Sequence, residues 1–305
     1  MTPRKILIDT DPGDDVDDVL AIAFALLRSE LDVRGITTVT GDTVKRAQII
    51  GKLLGLVGRR DIPLGAGIPL PLRALDAAGR QRWMEITGYR LNHYPWVQPS
   101  DDLPDIHEDG IALMARIIRE HPGEITLVAI GPLTNVAVLL RRYPEVIDKL
   151  SAIAIMGGEL ELNRRENNIV TDPVAADIVF TSGIPLFVGT WSVTRGFVLS
   201  PDDCAKIKAA GTPLTDGLSA CIDLWWPHKA HKPGPVMYDI APLLWSYDPS
   251  FYPTQSKRVL IALGDEATAG MTVTPSGEPN CEVSVSLDVE RIRALYRETI
   301  LSSVL

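Results

Sequence analysis

The chain has 305 residues, 46% of them hydrophobic and 23% charged, the make-up of a globular protein with a sizeable core. Its 30 Lys and Arg against 39 Asp and Glu leave a net charge of −9, which argues against a nucleic-acid backbone or an anionic membrane as main partner. A small neutral ligand, or one bound through a cation, fits that balance better.

The opening MTPRKILIDTDPG has an apolar run only from Ile6 to Ile8, too short for a signal peptide or a membrane span. Residues 5–8 predict a first buried strand and 19–27 a helix, with an acidic loop between them. A second strand is expected at 33–39 and a helix at 44–56. Residues 68–104 are irregular and rich in Pro and Arg. Apolar runs at 125–130 and 152–156 predict further strands, separated by a helix over 133–141. Runs at 185–188 and 258–263 complete the expected sheet, and 289–300 reads as a closing helix. Between them, 223–249 gathers Trp225, Trp226, His228, His231 and Tyr238 among several prolines. Alternation of this kind predicts one α/β domain over 1–305, a mostly parallel central sheet flanked by helices. Three widely spaced cysteines, Cys204, Cys221 and Cys281, read as reduced thiols, so a cytoplasmic location is expected.

The loop Asp9-Thr10-Asp11-Pro12-Gly13-Asp14-Asp15-Val16-Asp17-Asp18 carries six carboxylates in ten residues where a strand ends and a helix begins. One or two Asp before a helix are ordinary caps. Six repel one another, and a hard divalent cation with oxygen ligands would offset that repulsion. Calcium suits irregular carboxylate geometry better than magnesium, which demands a near-octahedral shell. Glu166 and Asn168 stand two apart, a spacing that shares one face on an extended segment but also fits a turn or cap. Asp172-Pro173 reads as an N-cap followed by Pro at the first helical position.

The acidic loop, with Asp17-Asp18 leading into an apolar helix, resembles the signature of the inosine–uridine preferring nucleoside hydrolases. Leu127-Val128-Ala129-Ile130-Gly131-Pro132-Leu133-Thr134-Asn135 is similar to that family's second block. Met156-Gly157-Gly158, Glu166-Asn167-Asn168-Ile169 and Asp172-Pro173-Val174-Ala175-Ala176 are similar to its third, and Tyr238-Asp239 stands where His-Asp is usual. The resemblance implies a ribonucleoside hydrolase that frees base and ribose with a calcium-bound water, active in purine or pyrimidine salvage as a homodimer or homotetramer. It implies Asp11, Asp18 and Asp239 as calcium ligands, completed by the Ile130 carbonyl, with Asp17 as the base that deprotonates the water. Glu166, Asn168 and Asn163 are then the ribose ligands, with Met156, Asp42 and Tyr238 also at the substrate; Asp42 follows Gly41 where Asn is usual. The loop is two residues longer than the commonest form, and alignment on Pro12-Gly13 would favour Asp14-Asp15 over Asp17-Asp18 as the metal and base pair.

Hydrolysis of an N-glycoside leaves negative charge on the departing base, and His is the usual donor near neutral pH. Of the five histidines, His231 and His228 lie just upstream of Asp239 and are the expected candidates, with His93 next. Trp225 or Trp226 could stack on the base. Two competing readings are a nucleoside- or ribose-binding protein that keeps fold and calcium site without catalysis, and a haloacid-dehalogenase-type phosphatase, whose nucleophile motif the loop lacks.

Overall fold

The structure is a computed structural model and describes residues 2–89, 91–107, 109–265 and 267–302. The first half of the chain runs β1 (Arg4–Thr10), α1 (Asp17–Leu27), β2 (Leu31–Thr38), α2 (Thr43–Leu56), β3 (Leu64–Ala66), α3 (Ala77–Tyr89), β4 (Ile106–His107), α4 (Gly110–Glu120), β5 (Ile125–Ala129), α5 (Thr134–Arg142) and β6 (Leu150–Met156). It continues with α6 (Asn167–Thr171), α7 (Pro173–Phe180), β7 (Leu186–Gly189), α8 (Trp191–Thr194), α9 (Pro201–Ala210), α10 (Pro213–Trp225) and α11 (Ile240–Tyr247). The last elements are β8 (Thr254–Lys257), β9 (Leu260–Ile261), β10 (Thr272–Val273), β11 (Cys281–Ser284) and α12 (Val289–Ser302).

Among the described residues nine strands form one sheet in the order β4-β3-β2-β1-β5-β6-β7-β11-β8. All neighbours are parallel except the edge pair β11 and β8. Side chains alternate between faces along a strand, so the central strands, covered on both sides, are apolar throughout. Along β1, Ile6 and Ile8 enter one core and Leu7 the other; in β6, Ala154 and Met156 oppose Ile153 and Ile155 in the same way. Helices α1, α2, α10, α11 and α12 close the first core, and α4, α5 and α7 the second.

The run 258–263 does not join the main sheet as its composition predicted. Leu260–Ile261 pairs with Thr272–Val273 in a two-stranded ribbon, and the position beside β7 is taken by Cys281–Ser284. Val259 and Ile261 are buried in the second core, which accounts for an apolar run of strand length that is not a strand of the sheet. No helix among the described residues is long and apolar enough to cross a membrane.

The chain winds outward from β1 to β4 on one side, then returns to place β5 on the other side of β1. Strand order therefore reverses between β1 and β5, and the carboxyl ends of those two strands open a crevice of the kind that binds ligands in α/β sheets. The acidic loop leaves β1 there, and Ile130 leaves β5 there, with the Ile130 amide donating to the Asp9 carbonyl at 2.8 Å.

Candidate active site

Asp17 and Asp18 occupy the first turn of α1, and Asp239 stands at the N-terminal end of α11. Carboxylate oxygens of these three buried residues lie within 4.8 Å of one another. Asp18 is fixed by Thr10 Oγ1, which donates to its Oδ1 at 2.5 Å, and by the Asp11 amide at 3.2 Å. Asp11 lines the same cavity, and the chain passes so close to it that a Cβ on Gly131 would stand 2.9 Å from Asp11 Oδ1.

Two helix N-termini point at the cluster and ease its negative charge, but they do not cancel it. Burial, then repulsion from neighbouring aspartates, pushes the carboxyls of Asp11, Asp17 and Asp239 well above the usual carboxylate range. Burial also raises Asp18 to about 6, against the lowering effect of Thr10 and Arg46. Buried carboxylates without a cation are expensive. Their oxygens, with the Ile130 carbonyl on the same cavity wall, form a donor set that fits a hard divalent ion.

Asp14 and Asp15 line the same cavity but are paired with other groups. Gly13 takes a positive φ of 133°, which reverses the loop after Pro12. Asp15 then accepts Trp225 Nε1 at 2.7 Å and Lys232 Nζ at 2.9 Å, while Asp14 lies 3.8 Å from Lys229 Nζ. Between the two pairs of aspartates that the loop offers, the geometry brings Asp17-Asp18 to Asp239 and gives Asp14-Asp15 to lysines.

The cluster opens into a cavity of about 350 Å³ lined also by Met156, Glu166, Asn168, Trp191 and Tyr238. Glu166 caps α6: its carboxylate accepts the amides of Asn168, Ile169 and Gly158. Asn168 Nδ2 donates to the carbonyls of Ile130 and Met156, both at 3.1 Å, tying β5 to β6 at the crevice. Asn163 is exposed and does not line this cavity. Asp42 caps α2 by accepting the Lys45 amide at 3.0 Å and pairs with Lys45 Nζ at 3.2 Å; it lines neither this cavity nor its larger neighbour. Asp172 caps α7 ahead of Pro173, as its sequence setting predicted.

The aromatic and histidine expectations fare differently. Trp225 is fully buried with its indole N–H held by Asp15, and Trp226 lines a separate groove with Cys204 and Lys208. His228 and His231 are exposed, and neither lines the cavity. His93 is buried with no hydrogen-bond partner on either ring nitrogen, and burial pushes it down to about 4. Among the described residues no histidine lines the cavity or its neighbour of about 510 Å³.

Several groups that shape the site escaped the sequence reading. Arg46, buried on α2, donates Nε to the Thr40 carbonyl at 2.7 Å and Nη1 to the carbonyls of Asp11 and Pro12, so it holds the backbone of the acidic loop. Thr40 itself sits at φ 68°, a strained value for a non-glycine residue. Asn135 Nδ2 donates to Asp9 Oδ1 at 2.7 Å and to the Thr38 carbonyl at 3.0 Å, joining β1 to β2. Asp9, buried and accepting also from Thr37 Oγ1, is raised by burial to about 7. An arginine at an otherwise apolar helix position was the one signal that could have flagged Arg46.

The family model described as inosine-uridine preferring nucleoside hydrolase matches residues 6–294. The chain is 34% identical over 299 residues to the pyrimidine-specific ribonucleoside hydrolase RihA of Citrobacter koseri, covering 93% of each. It is 33% identical over 310 residues to the enzyme of that name in Salmonella arizonae, covering 96% of this chain and 97% of the relative. A solved plant nucleoside hydrolase superposes with a TM-score of 0.81 at 27% identity, over 98% of this chain and 99% of that one. The fold is shared with a purine-preferring ribonucleoside hydrolase from Gardnerella vaginalis, with a TM-score of 0.85 at 22% identity over 99% of both chains.

Proposed function

The chain belongs to the inosine-uridine preferring nucleoside hydrolase family and is a ribonucleoside hydrolase, and from that premise we propose that it frees base and ribose with a calcium ion held by Asp11, Asp18, Asp239 and the Ile130 carbonyl. The observation that carries this reading is the convergence of Asp17 and Asp18 with Asp239, more than two hundred residues away in sequence, on one buried point whose cavity Asp11 and Ile130 also line. A calcium ion bound there supplies Lewis-acid activation of water and a chelating centre for ribose hydroxyls.

The chain's own groups do the rest. Asp17 takes the proton of the attacking water, its carboxylate lying within 4.8 Å of those of Asp18 and Asp239. Asn168, with its amide nitrogen already committed to two carbonyls, turns its oxygen to a ribose hydroxyl. Glu166 holds the α6 turn and lines the cavity beside Asn168. Met156 packs beside them as the floor of the cavity. Pyrimidine ribonucleosides are the favoured substrates, because the curated relatives at 33–34% identity carry that specificity in their names. We extend the reading to nucleoside salvage in the cytoplasm by a homodimer or homotetramer, a state that light scattering on the purified protein measures directly.

A panel of ribonucleosides assayed for free ribose, with and without chelator, tests the proposal. Release is expected from uridine and cytidine, is lost on chelation and returns with calcium. Undiminished turnover after complete chelation would sink the metal assignment.

A further inference from the structure

We propose that Lys232 is the hydrogen-bond donor to the departing base, the task that a histidine lining the cavity would otherwise perform. The proposal rests on the hydrolytic reading above and supplies what that reading lacks, because among the described residues the cavity wall carries Lys232, Lys229, Arg164 and Tyr238 but no histidine.

The geometry favours Lys232 over the other cations. Its Nζ donates to Asp15 Oδ2 at 2.9 Å, and Asp15 is itself fixed by the buried indole of Trp225 at 2.7 Å. The side chain is only 19% exposed and its ammonium lies 5.6 Å from the Tyr238 ring centroid and 5.9 Å from that of Trp225. An ammonium has three N–H donors, and Asp15 takes one. The remainder belong to a charge held in place on the wall of the cavity, the arrangement that stabilises negative charge as it develops. Lys229 stands 3.8 Å from its carboxylate, and Arg164 lies over Trp191 at 3.8 Å, so neither is anchored by a short ion pair in the same way. The carboxylates of Asp15 and Asp17 outweigh burial and hold Lys232 above the ordinary lysine range, so it stays a cation at neutral pH.

In the step itself the C1′–N bond breaks with its electron pair passing to the base, and the C1′–O bond forms from water. The water proton goes to Asp17 and from there to solvent. The base leaves as an anion hydrogen-bonded to Lys232 and takes its proton from solvent on release. Lys232 thus carries no net proton.

The test compares Lys232→Met with the wild-type enzyme on uridine and on 4-nitrophenyl ribofuranoside, whose nitrophenolate departs without assistance. The expected result is a loss of about 10²-fold or more in kcat on uridine and less than about fivefold on the nitrophenyl riboside. Lys232→Arg recovers part of the uridine rate. Equal losses on both substrates would overturn the proposal and leave Lys232 as a support for Asp15; an unchanged uridine rate would overturn it too. A wild-type enzyme that releases ribose from neither substrate would instead bring down the hydrolytic reading itself.

Discussion

The acidic loop contains two aspartate pairs that differ only in where the backbone sends them. Asp17 and Asp18 ride on the first turn of α1 and meet Asp239 in a buried cluster of carboxylates. Asp14 and Asp15, three residues earlier, point into the segment that precedes Asp239 and find Lys229, Lys232 and Trp225. Among the described residues, Asp14 and Asp15 each have a lysine within 4 Å, whereas Asp17 and Asp18 feel Lys232 and Arg46 only from farther away. Charge alone does not mark a metal ligand; the useful sign is a group of buried carboxylates that the fold leaves without a direct ion pair.

The largest effect should fall on the set without a direct ion pair. Asp239→Ala is expected to lower kcat by about 10²- to 10³-fold, whereas Asp14→Ala, which removes a pair at 3.8 Å, should stay within about threefold in steady-state ribose release. Similar losses in both variants would erase the distinction between the pairs. Arg46 supports both halves through the carbonyls of Asp11 and Pro12. Arg46→Met strands those acceptors and should cost about 3 kcal/mol in denaturant unfolding, with the rate on uridine falling alongside.

A smaller effect concerns pH. Asp9 is raised from 3.8 to about 7 by burial, so the folded chain holds a proton that the unfolded chain has released. The stability this provides is complete below about pH 4 and is lost as pH rises through about 7. The melting temperature of the chelated protein should therefore fall between pH 5 and pH 8, and Asp9→Asn should flatten that slope. A melting temperature that rises over the same interval would contradict the burial of Asp9.

Much of the fold was legible because the central strands are buried on both faces and read as apolar runs between amphipathic helices. The run 258–263 misled because burial under a helix and burial in a sheet leave the same composition. At the site, the crowding of the acidic loop and the Asp172 cap could be read from adjacent residues, whereas Glu166 and Asn168 form the capped first turn of α6 rather than one face of an extended segment. Groups whose role depends on a partner two hundred residues away could not be read, and Asp15 with Trp225 is the clearest case. Nor does sequence show exposure, so His228 and His231 stood out by position while the structure leaves them outside the cavity.

Calcium titration by calorimetry on the full chain tests the central claim most directly, comparing wild type with Asp239→Ala and with Asp14→Ala. One ion should bind wild type and Asp14→Ala with similar affinity, and binding should disappear in Asp239→Ala. Binding that survives in Asp239→Ala and is lost in Asp14→Ala would place the ion on the other pair of the loop and contradict the account.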